Sequence, residues 1–216
     1  MTDTSSKVAI VTGASGGIGA AIAQRLARDG FTVVVNYAGN AAPAKALVAK
    51  IENAGGRAVA AQADIADPAA VARLFDTAEA AFGGIDVVVN NAGIMQLATI
   101  AESNDALFDR QIAINLKGVF NTLREASRRL RAGGRIINVS SSVTTLLQPT
   151  YGVYAATKAA VECDDQRAHQ RTARPQHHRQ RDRAGADRHP AVPRRQAAGG
   201  DRPLGQSGPA RTARPA

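Results

Sequence analysis

A tyrosine and a lysine four residues apart are the pair in this sequence best suited to moving a proton. On a helix, Tyr154 and Lys158 would point to the same side, because residues i and i+4 are neighbours on its surface. An isolated phenol has a pKa of about 10 and is a poor acid or base at neutral pH. A nearby ammonium group favours the phenolate, so the pair could act as a general acid or base.

A serine cluster precedes this pair. Ser141 lies thirteen residues before Tyr154, where a predicted strand ends, and its hydroxyl could hydrogen-bond a substrate oxygen. Ser140 and Ser142 flank it, and spacing alone selects among the three. A Tyr-x-x-x-Lys pattern also recurs by chance, and serine clusters often do no more than end a strand. These residues therefore need support from the rest of the chain.

A glycine-rich turn near the N-terminus offers a place for a nucleotide. Residues 12–19 read Thr-Gly-Ala-Ser-Gly-Gly-Ile-Gly. Glycines let a backbone turn sharply and approach a pyrophosphate, and a following helix presents free N–H groups and its positive dipole end. Such turns are common, but this one follows an apolar run and leads into a helical pattern, in which Ile18, Ile22 and Leu26 share one face. The context predicts dinucleotide binding.

Short apolar runs alternate with amphipathic stretches up to about residue 161. The predicted strands are Val8–Val11, Thr32–Val35, Ala58–Gln62, Asp86–Asn90 and Arg135–Val139. The predicted helices begin near Ile18, at Ala41 (to Ala54), at Asp67-Pro68 (to Phe82), at Ser103 (to Arg131) and at Val153. This alternation requires crossover connections and a parallel sheet covered on both faces. We therefore expect a doubly wound, Rossmann-like α/β fold.

The glycine spacing and two further segments resemble the classical short-chain dehydrogenase/reductase family. The loop reads Gly13-x-x-x-Gly17-x-Gly19 rather than the commoner GxGxxG, residues 90–93 read Asn-Asn-Ala-Gly, and Asp64-Ile65 ends the third predicted strand. Order and spacing match from about Lys7 to Val161. The chain is most similar in pattern to carrier-protein ketoreductase or glucose-dehydrogenase-like members.

This resemblance implies a reaction and a site. The reaction is hydride transfer between NAD(P)(H) and a small-molecule carbonyl or alcohol. Tyr154 would donate or accept the proton, Ser141 would stabilise the reacting oxygen, and Lys158 would tune Tyr154 and hold the nicotinamide ribose. Asn115 would support a proton-relay water. The implied cofactor-binding residues are Gly13, Ser15, Gly17, Ile18, Gly19, Asn36, Asp64, Ile65, Asn91, Ala92, Gly93, Tyr154 and Lys158.

The end of the second strand favours NADP over NAD. An acidic residue there would bind a ribose 2′-hydroxyl and repel a 2′-phosphate, whereas this chain has Asn36-Tyr37. Gly16, however, stands where many NADP-preferring relatives carry a basic residue. NADP is the favoured cofactor and NAD the alternative.

Residues 163–216 differ in composition from residues 1–162. They contain 12 Arg, no Lys and no Glu, whereas all eight aromatic residues lie before them. This composition is typical of GC-rich DNA read out of frame. Codons permitted for residues 163–174, shifted by one base, encode AMTNVLTKELR, a natural continuation of the catalytic helix. We therefore expect an incomplete domain over residues 1–162 that lacks the last strands, followed by an out-of-frame basic tail, and sequencing the locus would test this.

Other functional classes have little support in the sequence. The spacing of Cys163 with His177-His178 matches no zinc site. The basic tail lacks the aromatic residues that stack on nucleic-acid bases, and no apolar run or signal sequence indicates a membrane or export. We expect a cytoplasmic protein whose intact relatives form homo-oligomers. The alternative function is a non-enzymatic product with a partial cofactor site and a basic interaction tail.

Overall fold

Five parallel strands form the centre of the fold. The computed structural model describes residues 6–146 and 148–172. The strands are β1 (Val8–Val11), β2 (Thr32–Tyr37), β3 (Arg57–Gln62), β4 (Ile85–Asn90) and β5 (Leu130–Asn138). Their order in the sheet is β3-β2-β1-β4-β5, with every neighbouring pair parallel. The order reverses direction between β1 and β4, the position where ligands bind in doubly wound sheets. The expected fold class is confirmed.

Helices connect the strands and cover the sheet. They are α1 (Gly17–Arg28), α2 (Ala41–Asn53), α3 (Pro68–Phe82), α4 (Asp105–Gln111), α5 (Val119–Arg129), α6 (Val143–Leu146) and α7 (Gly152–Thr172). A π-helical segment, Ile112–Gly118, joins α4 to α5, and a 3₁₀ turn, Pro149–Tyr151, precedes α7. Within the described residues, none of these helices is both long and apolar enough to cross a membrane.

Apolar side chains fill both sides of the sheet. Alternate residues of a strand point to opposite faces, so Ile10 and Val88 pack with Phe75 of α3, whereas Val11 and Val35 pack on the other face. All four residues of β1 are buried. The central strands are therefore covered on both faces, and their C-terminal ends are left to form a site.

Four elements differ from the sequence expectation. The expected single helix from Ser103 to Arg131 is divided into α4, the π-helical segment and α5. β2 extends to Tyr37, so Asn36 lies inside the strand rather than after it. β5 begins at Leu130, where the backbone is already extended, and the expected helix to Arg131 ends at Arg129. Pairing with β4 determines this, because Ile85 is paired with Leu130 before the register shifts. The catalytic helix α7 continues past Glu162 to Thr172, so helical structure does not stop at the expected domain boundary.

One arginine joins α5 to α3. Arg129 of α5 donates to both carboxylate oxygens of Glu79 on α3, at 3.0 and 2.6 Å, and to Asp76 at 2.7 Å. The hydrogen bonds from Arg129 lower the pKa of Glu79, and the same contacts raise the pKa of Arg129. The attachment holds α5, and with it the π-helical segment, beside the sheet. The expected absence of the last strands concerns residues outside the described part of the chain.

Candidate functional site

The glycine loop between β1 and α1 packs directly against the loop after β4. Gly13 has φ +61°, a left-handed conformation that favours glycine, and a Cβ there would lie 2.8 Å from Ala92 Cα. A Cβ on Gly19 would lie 2.5 Å from Asn91 Nδ2. The two loops approach so closely that only glycine fits at these two positions.

Thr12 and Asn91 clamp these loops together. The Thr12 hydroxyl accepts hydrogen bonds from the backbone N–H groups of Asn91 (3.0 Å) and Ala92 (3.1 Å). Asn91 Nδ2 in turn donates to the carbonyls of Thr12 (3.0 Å) and Gly13 (3.2 Å). Sequence analysis did not assign Thr12 a role, because these partners lie about 80 residues away in the chain.

The start of α1 leaves its amide groups available to an anion. Gly16 is the N-cap residue and offers no side-chain hydrogen bond to the first turn, which also contains no acidic residue. The first N–H groups of a helix have no partner within the helix, and its dipole places partial positive charge there. These groups can therefore receive a phosphate.

A cleft of about 660 Å³ lies over the C-terminal ends of the strands. Eleven of the thirteen sequence-predicted cofactor residues line it: Gly13, Ser15, Gly17, Ile18, Gly19, Asn36, Asp64, Ile65, Asn91, Ala92 and Gly93. It is also lined by residues that the sequence analysis did not place among the cofactor-binding residues: Gly16, Ala38, Gly39, Ala63, Ile94, Arg110 and Ile114. The volume falls within the range of small-molecule and cofactor sites.

The Asn36 side chain is turned into the protein. It is 1% exposed; its Oδ1 accepts from Gly13 N at 3.2 Å, and its Nδ2 donates to the carbonyls of Ala63 (3.0 Å) and Ala61 (3.3 Å). The amide group thus joins the glycine loop to β3 and its following residue. Although Asn36 lines the cleft, its hydrogen bonds are used within the protein, a role that its position at the end of a strand did not reveal.

The three serines after β5 have different partners. Ser140 donates to the Glu162 carboxylate, which also accepts from Thr144 at 3.3 Å. Ser142 is exposed. Ser141 is half-buried, and its hydroxyl Oγ accepts only a long hydrogen bond of 3.4 Å, from Val143 N, among the described residues. The hydroxyl of Ser141 therefore remains able to donate, which supports the choice that spacing suggested.

Tyr154 and Lys158 lie together on α7. The Lys158 Nζ is 5.8 Å from the centre of the Tyr154 ring and donates to the Val139 carbonyl at 2.8 Å. Lys158 is 6% exposed, and burial lowers its pKa because the ammonium loses contact with water. The hydrogen bond to Val139 holds the ammonium at the end of β5, beside the serine cluster.

Asn115 connects the cleft to α7. Its Oδ1 accepts from Ile94 N and its Nδ2 donates to the Ile94 carbonyl, both at 2.8 Å, and Nδ2 also contacts Thr157 Oγ1 at 3.3 Å. A Cβ on Gly93 would lie 3.2 Å from Asn115 Oδ1 and 3.8 Å from Lys158 Nζ. Asn115 lies in the π-helical segment, a rare geometry that often marks functional positions. Its amide is used to hold the backbone that follows Gly93.

Metal ligands do not cluster in the part of the chain that the structure describes. Among the side chains that the structure describes, those of residues 6–146 and 148–163, no group of three or more His, Cys, Asp or Glu could hold a metal ion. Cys163 is exposed, and His177 and His178 lie outside the described residues.

Comparison with known proteins identifies similar sequences and structures. A family model described as short chain dehydrogenase matches residues 7–172. An uncharacterized oxidoreductase of Methylorubrum extorquens is 47% identical over 161 residues, which make up 74% of this chain and 65% of that protein. A dehydrogenase/reductase from Sinorhizobium meliloti has 46% identity and a TM-score of 0.70, covering 72% of this chain and 62% of its own.

A third similar protein was solved with a nucleotide. This short chain dehydrogenase from Burkholderia cenocepacia, in complex with NADP, has 44% identity and a TM-score of 0.69, and the match covers 72% of this chain and 64% of that one. The chain thus spans less than two thirds of the length of each of these three proteins.

Proposed function

This chain belongs to the short-chain dehydrogenase family, and on that premise we propose that it transfers hydride between NAD(P)(H) and a carbonyl or secondary-alcohol substrate. The observation that carries the proposal is the single cleft wall formed by the glycine loop and residues 91–93. Asn115 and Lys158 lie against that wall at Gly93. A nucleotide in the cleft would therefore extend towards the Tyr154–Lys158 pair.

The residues present fit a dinucleotide. The uncapped start of α1 supplies N–H groups for a diphosphate, and Gly16 and Gly17 place no side chain there, since a Cβ at either residue would meet only open space. The apolar Ile65 and Ile114 line the cleft beside Asp64, which suits a nucleotide base. When bound, the nicotinamide supplies or accepts the hydride.

The chain's own residues would manage the proton. Tyr154 is proposed to donate its phenolic proton to the carbonyl oxygen, or to take it back in the reverse direction. Ser141 would donate a hydrogen bond to the same oxygen, and Lys158 would stabilise the phenolate with its ammonium, 5.8 Å from the ring centre. Asn115 would keep the segment after Gly93 in place through its two bonds to Ile94.

NADP is the cofactor we propose, with NAD as the alternative. Ala38 and Gly39 line the cleft beyond β2 and carry no carboxylate that would repel a 2′-phosphate. Among the described residues that line the cleft, the one carboxylate is that of Asp64. It follows β3 and not β2, so it is not at the position where an acidic residue would bind a ribose 2′-hydroxyl. Titrations of the full chain with NADPH and with NADH would rank the two by dissociation constant.

The experiment pairs ligand-induced stabilisation with turnover. A cofactor present at about 100 times its dissociation constant should stabilise the full chain by about 2.7 kcal/mol, which thermal unfolding detects as a higher midpoint. NADPH oxidation that depends on an added aldehyde or ketone would then show catalysis. Binding without turnover would instead support a non-enzymatic product with a partial cofactor site.

Tyr154→Phe isolates the proposed proton donor. The variant should lose turnover while its dissociation constant for NADPH stays within about twofold of the wild type, because the ring is retained and only the hydroxyl is removed. Tyr151→Phe is the matched control, since Tyr151 lies three residues earlier in the 3₁₀ turn, and it should keep turnover. An active Tyr154→Phe variant would contradict the assignment.

A further inference from the structure

Arg110 is a cation on the wall of the cleft. It lies in the last turn of α4, is exposed, and forms no hydrogen bond or ion pair within the described part of the chain. Among the described residues that line the cleft, Arg110 carries the one positive charge and Asp64 the one negative charge. A guanidinium held at a ligand cleft without a protein partner is available to a ligand.

The position of Arg110 follows from the helix that carries it. Gly118 lies against Ile65, since a Cβ there would be 2.7 Å from Ile65 Cδ1. Ile114 is four residues earlier on the same side and lines the cleft, and Arg110 is four residues earlier again. Arg110 and Gly118 thus lie about two turns apart, with Ile114 between them. Arg110 therefore forms the outer rim of the wall whose inner part is apolar.

Asp64 and Ile65 line the same cleft. Asp64 Oδ1 accepts from Ala66 N at 2.9 Å, which fixes the carboxylate in a turn after β3. Ile65 is 4% exposed and belongs to the core. The end of the cleft thus combines two apolar side chains, a fixed hydrogen-bond acceptor and an outer guanidinium.

We propose that Arg110 closes the adenine pocket by packing its guanidinium against the base, and this inference rests on the proposed dinucleotide function. A flat, weakly hydrated guanidinium stacks on aromatic rings. The apolar Ile65 and Ile114 suit a base better than a phosphate, and the N–H groups at the start of α1 are available for the diphosphate. Arg110 thus contributes to affinity for the adenosine half of either dinucleotide.

The experiment measures dinucleotide affinity of the full chain by calorimetry. Arg110→Ala should raise the dissociation constants for NADPH and for NADH by the same factor, about two- to fivefold, as expected for a cation stacked on a ring at an exposed site. The loss should persist at about 0.5 M NaCl, where a contact with a phosphate would be largely screened. Lys117→Ala is the control, because it removes one exposed charge from the π-helical segment that follows α4, outside the cleft, and its affinities should match the wild type.

Each other outcome overturns the proposal. If Arg110→Ala loses affinity for NADPH alone, Arg110 binds the 2′-phosphate. If the loss of affinity disappears at high salt, Arg110 binds the diphosphate. Equal affinities in Arg110→Ala and the wild type would show that the guanidinium makes no contact. A wild-type chain that binds neither nucleotide would overturn the proposed function and this inference together, whereas wild-type binding with an unaffected variant overturns the inference alone.

Discussion

Replacing Asn36 by aspartate tests the inward orientation of this side chain. The Asn36 Nδ2 donates to the carbonyls of Ala63 and Ala61, and an aspartate oxygen would face both acceptors. Each buried carbonyl left without a donor costs about 1–3 kcal/mol. Ala61 also belongs to the β2–β3 ladder, so only the Ala63 carbonyl is counted, and the expected loss in the free energy of unfolding at neutral pH is about 1–3 kcal/mol.

The loss should depend on pH in a definite direction. Burial and the two facing carbonyls would raise the pKa of the new carboxyl above the value of about 3.9 expected in the unfolded chain. A group whose pKa is raised on folding contributes stability below its unfolded pKa and loses that contribution as the pH rises through its folded pKa. Asn36→Asp should therefore be closest to the wild type near pH 4 and most destabilised at pH 8.

Asn40 provides the same substitution in a different environment. Its exposed side chain caps α2 by accepting from Ala42 N at 3.0 Å, and aspartate caps helices equally well. Urea denaturation followed by circular dichroism, at pH 5 and pH 8, should place Asn40→Asp within about 0.5 kcal/mol of the wild type. If Asn36→Asp is as stable as Asn40→Asp at pH 8, the hydrogen bonds described for Asn36 are not formed.

Two further predictions concern stability. Arg129→Ala should lower the free energy of unfolding by about 2 kcal/mol at pH 7, against less than about 0.5 kcal/mol for the exposed Arg25→Ala control. Because the pKa of Glu79 is lowered in the folded state, this difference should shrink below about pH 4, and an unchanged difference at pH 3.5 in urea titrations would argue against the ion pair. Lys158→Met should raise the free energy of unfolding by about 1 kcal/mol at pH 7 while abolishing turnover, since it removes a buried ammonium. Because burial lowers the pKa of Lys158, the free energy of unfolding of the wild type should rise towards that of the variant as the pH approaches about 10.5. A variant that is less stable than the wild type at both pH 7 and pH 10 would refute the reasoning.

Local sequence patterns were sufficient for the architecture. The strand and helix periods depend on neighbours a few residues apart, so β1, β4 and α3 begin and end within a residue of their expected bounds. The glycine loop was recognisable for the same reason, because its turn and the following helix are encoded in eight consecutive residues. Eleven of the thirteen expected cofactor residues consequently line one cleft.

Contacts between distant segments were beyond these patterns. Where β5 begins depends on its pairing with β4, and the π-helical segment around Asn115 lies in a stretch that reads as an ordinary helix. Thr12 had no visible role because its partners, Asn91 and Ala92, lie about 80 residues away. No local signal reports such a partner.

By itself, the sequence determined the order of strands and helices, the glycine loop and the spacing of Ser141, Tyr154 and Lys158. The tertiary structure alone decided which polar atoms are used inside the protein. It turned Asn36 inward, paired Ser140 with Glu162 and left Arg110 facing the cleft. The physical reason is that secondary structure arises from local backbone preferences, whereas the partner of a polar side chain depends on what other elements bring within about 3 Å of it.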